Sequence, residues 1–212
     1  MKNLFLTLSG ALLLAAHPLH AQTTTFNYTG GFQNYTSPGT GWYFLDASGA
    51  QGGYDSHTNH VGGKGARMQG YVQLNAGDVL RIAVGGMGLK GGNDGNNVSG
   101  GGGGGGSSII KVNGSTYVPL LMAGGGGGGA ARYDGSPGLT TLDGGFDNGG
   151  TNGTGGRVDG TAYYGGAGGA GYAGNGGSHY TADNSSLLSK GGVAYSSGAN
   201  PNVGGSSSAN GG

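Results

Sequence analysis

The sequence predicts a mainly β protein: a small β-sandwich, of the jelly-roll kind, that carries a bundle of polyglycine-II-type helices. Three observations lead to this fold class. Short apolar segments recur at close spacing between residues 26 and 123, which is typical of sandwiches. Two uninterrupted glycine runs, residues 100–106 and 124–129, flank a segment with a hairpin pattern. After residue 21, no segment has the apolar spacing of an amphipathic helix.

The first two predicted strands come before residue 50. Residues 25–29 alternate apolar and polar side chains, as a half-buried strand does. Residues 41–47 form a bulky apolar run, which is typical of a buried strand. We therefore expect Trp42, Tyr43 and Phe44 to lie in the core.

Two further pairs of strands follow. Residues 71–74 and 79–84 have the pattern of strands joined by a tight turn. Residues 109–121 carry the clearest hairpin signal, because the Asn-Gly pair at residues 113–114 accepts positive φ at both turn centres. Pro119 cannot donate a ladder hydrogen bond, so its strand is expected at a sheet edge or beside a bulge.

Glycine makes up 58 of the 212 residues. Ordering each glycine costs about 0.5–1 kcal/mol relative to alanine, and only backbone hydrogen bonds, at about 0.5–1.5 kcal/mol net each, can offset that cost. Collagen is excluded, because the glycines do not recur at every third position. The two runs are therefore either disordered or paired side by side through their peptide groups. Since one hairpin connects them, we expect them to be neighbours.

The chain divides into three predicted regions. Residues 1–21 have a basic start, an apolar stretch and a small residue at the end, which predicts a secretory signal peptide. That apolar stretch is shorter than the about 20 residues that span a bilayer, and no later one approaches this length. Residues 22–131 contain the predicted sandwich with its glycine runs. Residues 132–212 are expected to form extended polyglycine helices or partly disordered chain, truncated at the C-terminus.

Charge and motifs exclude several functions. Without Lys2, eight basic residues face nine Asp and no Glu, so the chain lacks the basic surface that nucleic acid requires. There is no cysteine, no P-loop and no nucleophile-elbow motif. Asp55, His57 and His60 could suit a metal, but such a pair of histidines in a polar loop is more often solvated. We therefore predict no enzyme activity, no cofactor and no metal site.

Five segments together resemble a known family. They read WYFLDASGAQGG from residue 42, GGKGAR from residue 62, GDVLRIAVGG from residue 77, GGGGGGGSSII from residue 100 and LLMAGGGGGG from residue 120. This series resembles the glycine-rich extracellular domain of the anaplastic lymphoma kinase and leukocyte tyrosine kinase receptors, and related bacterial secreted proteins. The resemblance covers about residues 26–131. It implies a sandwich similar to the tumour-necrosis-factor fold, a polyglycine-helix bundle and binding of a protein ligand.

The predicted function is a secreted or surface-displayed, non-enzymatic binding or adhesion module for a protein or glycan ligand, with no membrane span; self-association stays open. Tyrosine gives a large contact area at low entropy cost, so the predicted ligand contacts are the tyrosines of the glycine-rich half: Tyr163, Tyr164, Tyr172, Tyr180 and Tyr195. These side chains would serve equally well to cap the bundle. The alternative function is a structural glycine-rich matrix or wall protein whose second half is disordered.

Overall fold

The computed structural model describes residues 22–55, 60–91, 100–130, 132–141, 150–152, 154–157, 167–171, 173–180 and 187–192. Within these ranges the secondary structure is all β, so the prediction of a mainly β protein is confirmed. The predicted signal peptide lies outside the described residues. The strands are β1 (Phe32–Thr36), β2 (Gly41–Ser48), β3 (Arg67–Leu74), β4 (Val79–Ala83), β5 (Ser107–Asn113), β6 (Thr116–Ala123), β7 (His179–Tyr180) and β8 (Leu187–Ser189).

The described strands form antiparallel sheets. Four strands pair in the order β1-β4-β5-β6, while β2 pairs with β3 and β7 pairs with β8. The core lies between the first two sheets, since each contributes to it. Leu74 of β3 packs in one cluster with Leu80 and Ile82 of β4 and with Ile109 of β5. Burying each of these side chains stabilises the fold by about 1.5–3 kcal/mol.

The predicted first strand is wrong. Residues 25–29 form no strand, and β1 begins only at Phe32. Phe26 nevertheless packs against the core and meets the Tyr35 ring edge to face, with ring centroids 6.2 Å apart. The alternation of apolar and polar residues does not report a buried face here, because Phe26 packs against the core whereas Tyr28 is 47% exposed. It does not by itself supply a partner strand.

The turn between β3 and β4 carries the chain from one sheet to the other. The Asp78 amide donates to the Asn75 carbonyl at 3.0 Å, and Gly77 has a φ of 85°. Both strands and the turn occur where the sequence predicts them. The two strands do not form a hairpin with each other, however: β3 pairs with β2, while β4 pairs with β1 and β5.

The β5–β6 hairpin is present, but its turn is shifted by one residue from the prediction. Asn113 is the last residue of β5 and pairs with Thr116, so Gly114 and Ser115 occupy the turn centres. Only Gly114 of this pair has positive φ, at 61°. A turn with glycine at its first centre needs positive φ at that residue alone, which explains why Asn113 stays in the strand.

The expectation for Pro119 is confirmed on both counts. β6 is the last strand of the four-stranded sheet, and the register shifts beside Ile110, which lies opposite Pro119. A proline has no amide hydrogen to donate, so an edge position with a nearby bulge accommodates it without an unpaired ladder donor.

The two glycine runs lie side by side and hydrogen-bond through their peptide groups, together with the segment that follows β2. The bonds form a cycle. The Ala50 amide donates to the Gly105 carbonyl at 2.9 Å, the Gly104 amide donates to Gly126 at 2.7 Å, and the Gly126 amide donates back to Ala50 at 2.9 Å. Each segment therefore donates to one neighbour and accepts from the other.

The same cycle repeats three residues further along. The Gly53 amide donates to Gly102 at 2.8 Å, the Gly101 amide donates to Gly129 at 2.9 Å, and the Gly129 amide donates to Gly53 at 2.8 Å. The contacts between any two segments thus recur at every third residue. Side chains would prevent the backbones of these segments from approaching closely enough to form the bonds, and the cycle accordingly consists almost wholly of glycine.

A segment from the second half of the chain joins the same arrangement. The Ala170 amide donates to the Gly104 carbonyl, and the Ala170 carbonyl accepts from the Gly125 amide, both at 2.9 Å. Three residues earlier, the Gly128 amide donates to the Ala167 carbonyl at 2.7 Å. We call residues 50–53, 101–105, 125–129 and 167–170 the glycine lattice. It lies at the ends of β2, β5 and β6, so the sheets set its position.

Candidate functional site

Three aromatic side chains form an exposed patch on the β2–β3 sheet. Trp42 and Tyr71 are 72% exposed, and Phe44 is 53% exposed. Trp42 and Phe44 share one side of the sheet because strand residues two apart point the same way. Tyr71 lies on that side too, since it is directly opposite Phe44. We call this patch the aromatic face. Large aromatic residues that are exposed together, and not singly, are typical of interaction sites.

The prediction that Trp42 and Phe44 lie in the core is wrong. Only Tyr43 packs against the core, and its hydroxyl accepts a 2.8 Å hydrogen bond from Ser37 Oγ and donates to the Gly39 carbonyl at 2.7 Å. The continuous apolar run of β2 suggests a strand buried on both sides. β2 instead lies in a two-stranded sheet with the core on one side, so alternate residues face outward.

The register of β2 and β3 defines the layout of the aromatic face. Phe44 lies opposite Tyr71, and their ring centroids are 5.1 Å apart with planes tilted by 52°. Such aromatic pairs contribute about 0.5–1.5 kcal/mol beyond their buried area. Trp42 lies opposite Gln73, two positions along. A tryptophan and a paired phenylalanine–tyrosine unit thus follow each other along the strands.

The other end of the same sheet surface is polar and its charges are paired. Arg67 Nε donates to Asp46 Oδ1 at 3.0 Å and Arg67 Nη2 donates to Oδ2 at 2.5 Å, a bidentate geometry. The Asp46 carboxylate accepts a third hydrogen bond from Gln69 Nε2, which donates to Oδ2 at 3.0 Å. The bond from Arg67, with that from Gln69, lowers the pKa of Asp46 to about 2. The carboxylate therefore stays ionised and paired at any ordinary pH.

A second feature lies on the four-stranded sheet. The Arg81 guanidinium lies 4.9 Å from the Phe32 ring centroid and 4.8 Å from that of Tyr117. Its Nε is buried and has no hydrogen-bond partner among the described residues. The two rings attract the cation through their electron-rich faces. Phe32 lies on the adjacent strand β1 and Tyr117 on β6, two strands away, so the four-stranded sheet holds a cation between aromatic rings, on a different sheet from the aromatic face.

Asp55 and His60, two of the residues considered from the sequence as metal ligands, are instead engaged in hydrogen bonds within the protein. Asp55 is fully buried and accepts a 2.6 Å hydrogen bond from the His60 amide. His60 Nδ1 lies 3.0 Å from Asp134 Oδ1, which also accepts from the Val61 amide at 2.9 Å. These bonds join residues 60–61 to a segment more than 70 positions later. His57 lies outside the described residues, and the described part of the chain holds no group of three residues suited to a metal.

The predicted tyrosine contacts stay a prediction. Tyr180 lies in β7 opposite Leu187 of β8, and the other four, Tyr163, Tyr164, Tyr172 and Tyr195, lie outside the described residues. The sequence interpretation overlooked Tyr71, which belongs to the aromatic face. Its signal was the alternation of residues 67–73, where polar residues occupy the same side of β3 as Tyr71.

No protein-family model matches this chain, and no curated protein sequence matches it. Among the described residues, none belongs to a helix with the length and apolarity needed to cross a bilayer.

Proposed function

We propose that this chain is a secreted or surface-displayed, non-enzymatic binding module that recognises a protein or glycan ligand through the aromatic face. The observation that carries the proposal is the joint exposure of Trp42, Phe44 and Tyr71 on one side of the β2–β3 sheet. Exposed tryptophan and tyrosine side chains dominate the energy of many binding surfaces. Because both strands also anchor the core, the platform is held in place before a ligand arrives.

We also propose that the chain folds as a sandwich similar to the tumour-necrosis-factor fold, with an appended bundle of polyglycine-II-type helices. The three-residue period of the lattice bonds supports this description, because such helices have three residues per turn. The bonds from Ala167 and Ala170 to the glycine runs favour an ordered second half over a disordered matrix protein. The resemblance to the receptor domains, which bind protein ligands, also supports the proposal.

Binding of the full-length chain to glycan arrays and to immobilised extracellular proteins tests the proposed function. Trp42→Ala and Tyr71→Ala should each weaken binding by about tenfold or more, as expected for central aromatic contacts. Tyr133→Ala is the matched control, since Tyr133 is 64% exposed but lies outside β2 and β3. Circular dichroism should show all three variants folded. Binding that is equal in all variants would remove the aromatic face from the proposal.

The tyrosines of the glycine-rich half provide a second comparison in the same assay. Loss of binding in Tyr163→Ala or Tyr195→Ala, with Trp42→Ala unaffected, would move the ligand contact to that half of the chain.

A further inference from the structure

The outward side of the β2–β3 sheet contains only aromatic and polar side chains. Read as opposite pairs from one end to the other, these are Trp42 with Gln73, Phe44 with Tyr71, Asp46 with Gln69, and Ser48 with Arg67. Aliphatic side chains are absent from these eight positions. The aromatic face therefore combines flat apolar rings with groups that both donate and accept hydrogen bonds.

The charge of this surface decides between classes of ligand. Its one cation, Arg67, and its one anion, Asp46, neutralise each other in a bidentate pair. A nucleic acid or an acidic polysaccharide would need unpaired cations here, and a basic peptide would need unpaired carboxylates. A neutral ligand matches the surface without breaking the existing ion pair.

Sugar rings match the remaining chemistry. A pyranose ring presents a face of C–H groups, which carry partial positive charge and are attracted to the electron-rich face of an aromatic ring. Its hydroxyl groups donate and accept, as the Gln73 amide beside Trp42 also does. The residues two apart on a strand are separated by about 6.5–7 Å. Trp42 and the Phe44–Tyr71 pair thus offer consecutive stacking positions along one line.

We infer that the ligand of the aromatic face is a neutral polysaccharide, whose sugar rings stack on Trp42 and on the Phe44–Tyr71 pair while Gln73 bonds to hydroxyl groups. This inference rests on the proposed function and narrows its ligand from a protein or glycan to an uncharged sugar chain. The Asp46–Arg67 pair closes the polar end of the platform and stays intact on binding.

Affinity electrophoresis of the full-length chain tests the inference. The probes are hydroxyethylcellulose, galactomannan and dextran as neutral polymers, with alginate as the anionic one. At least one neutral polymer should retard the protein, and alginate should not. Trp42→Ala and Tyr71→Ala should weaken that binding by about tenfold, whereas Tyr133→Ala should match the unchanged chain. Raising the salt from low to high concentration should leave the retardation unaffected, because no charges are exchanged.

The outcomes separate the two proposals. If none of the neutral polymers retards the folded protein, or if alginate alone does, the inference is overturned. If an immobilised protein captures the chain and Trp42→Ala abolishes that capture, the proposed function stands and the sugar ligand is wrong. If a neutral polymer binds the Trp42→Ala and Tyr71→Ala variants as tightly as the unchanged chain, both the inference and the assignment of the aromatic face fail.

Discussion

Arg81 shows how one residue can combine favourable and unfavourable interactions of similar size. Its guanidinium lies between the Phe32 and Tyr117 rings, an arrangement worth about 0.5–2 kcal/mol for each cation–ring contact. Its buried Nε has no acceptor in the described part of the chain, and such a group costs about 1–3 kcal/mol. The charge should therefore contribute little net stability. The aliphatic stem, packed against the sheet, should contribute more.

Two substitutions separate the stem from the charge. Arg81→Met keeps an apolar stem and removes the unpartnered N–H, so the free energy of unfolding should change by less than about 1 kcal/mol. Arg81→Ala removes the stem as well and should destabilise by about 1–3 kcal/mol. Urea denaturation of the two variants measures both values. Equal damage from methionine and alanine would show that the guanidinium charge itself stabilises the fold.

At the scale of elements, neighbouring positions of one glycine run in the lattice differ in how much space they leave for a side chain. A Cβ added at Gly126 would lie 1.9 Å from the Gly63 carbonyl oxygen. A Cβ added at Gly127 would meet nothing closer than 3.5 Å, which is an ordinary contact. The difference arises because successive residues of an extended segment point toward different neighbours.

Alanine substitutions at these two positions should therefore have opposite effects. Gly126→Ala should lower the free energy of unfolding by about 3 kcal/mol or more, since backbone must move to accept the methyl group. Gly127→Ala should be neutral or stabilise by up to about 1 kcal/mol, because alanine reduces the entropy of the unfolded chain. Thermal unfolding of the pair provides the measurement. Similar losses at both positions would contradict the packing of this run.

The sequence predicts elements better than it predicts which side of them is exposed. The β5–β6 hairpin and the position of Pro119 follow from local chemistry, because turn residues and proline act on their own backbone. The exposure of Trp42 and Phe44 does not, because the apolar run of residues 42–45 is identical for a strand buried on one side or on both. What decides the matter is that the four-stranded sheet packs against one face of β2 only, and its strands β4, β5 and β6 lie far along the chain.

At the scale of the whole molecule, the lattice connects segments that are distant in the sequence. Residues 50–53 bond to both glycine runs, and residues 167–170 bond to the same runs from another direction. One segment cannot leave without exposing the peptide groups of the others. The lattice and the sheets should therefore open together and not piece by piece.

Amide hydrogen exchange should reveal this cooperativity. The amides of Gly104, Gly126 and Ala170 should exchange as slowly as those of Ile109 and Ile110 in β5, because the same opening must expose all of them. Mass spectrometry of peptides from the exchanged protein resolves these segments. Rapid exchange at residues 167–170 beside a protected β5 would favour the matrix protein with a disordered second half.

The cyclic bonding of the glycine lattice also affects how the protein responds to temperature. Apolar surface that is exposed on unfolding raises the heat capacity by about 0.45 cal/K/mol per Å², whereas exposed polar surface lowers it by about 0.26 cal/K/mol per Å². The lattice consists mainly of peptide groups, so its unfolding exposes little hydrocarbon. The heat-capacity change per residue should then be smaller than the roughly 12–15 cal/mol/K of ordinary domains. We therefore expect a flatter stability curve, and better resistance to cold denaturation than in a protein whose order depends on a large apolar core.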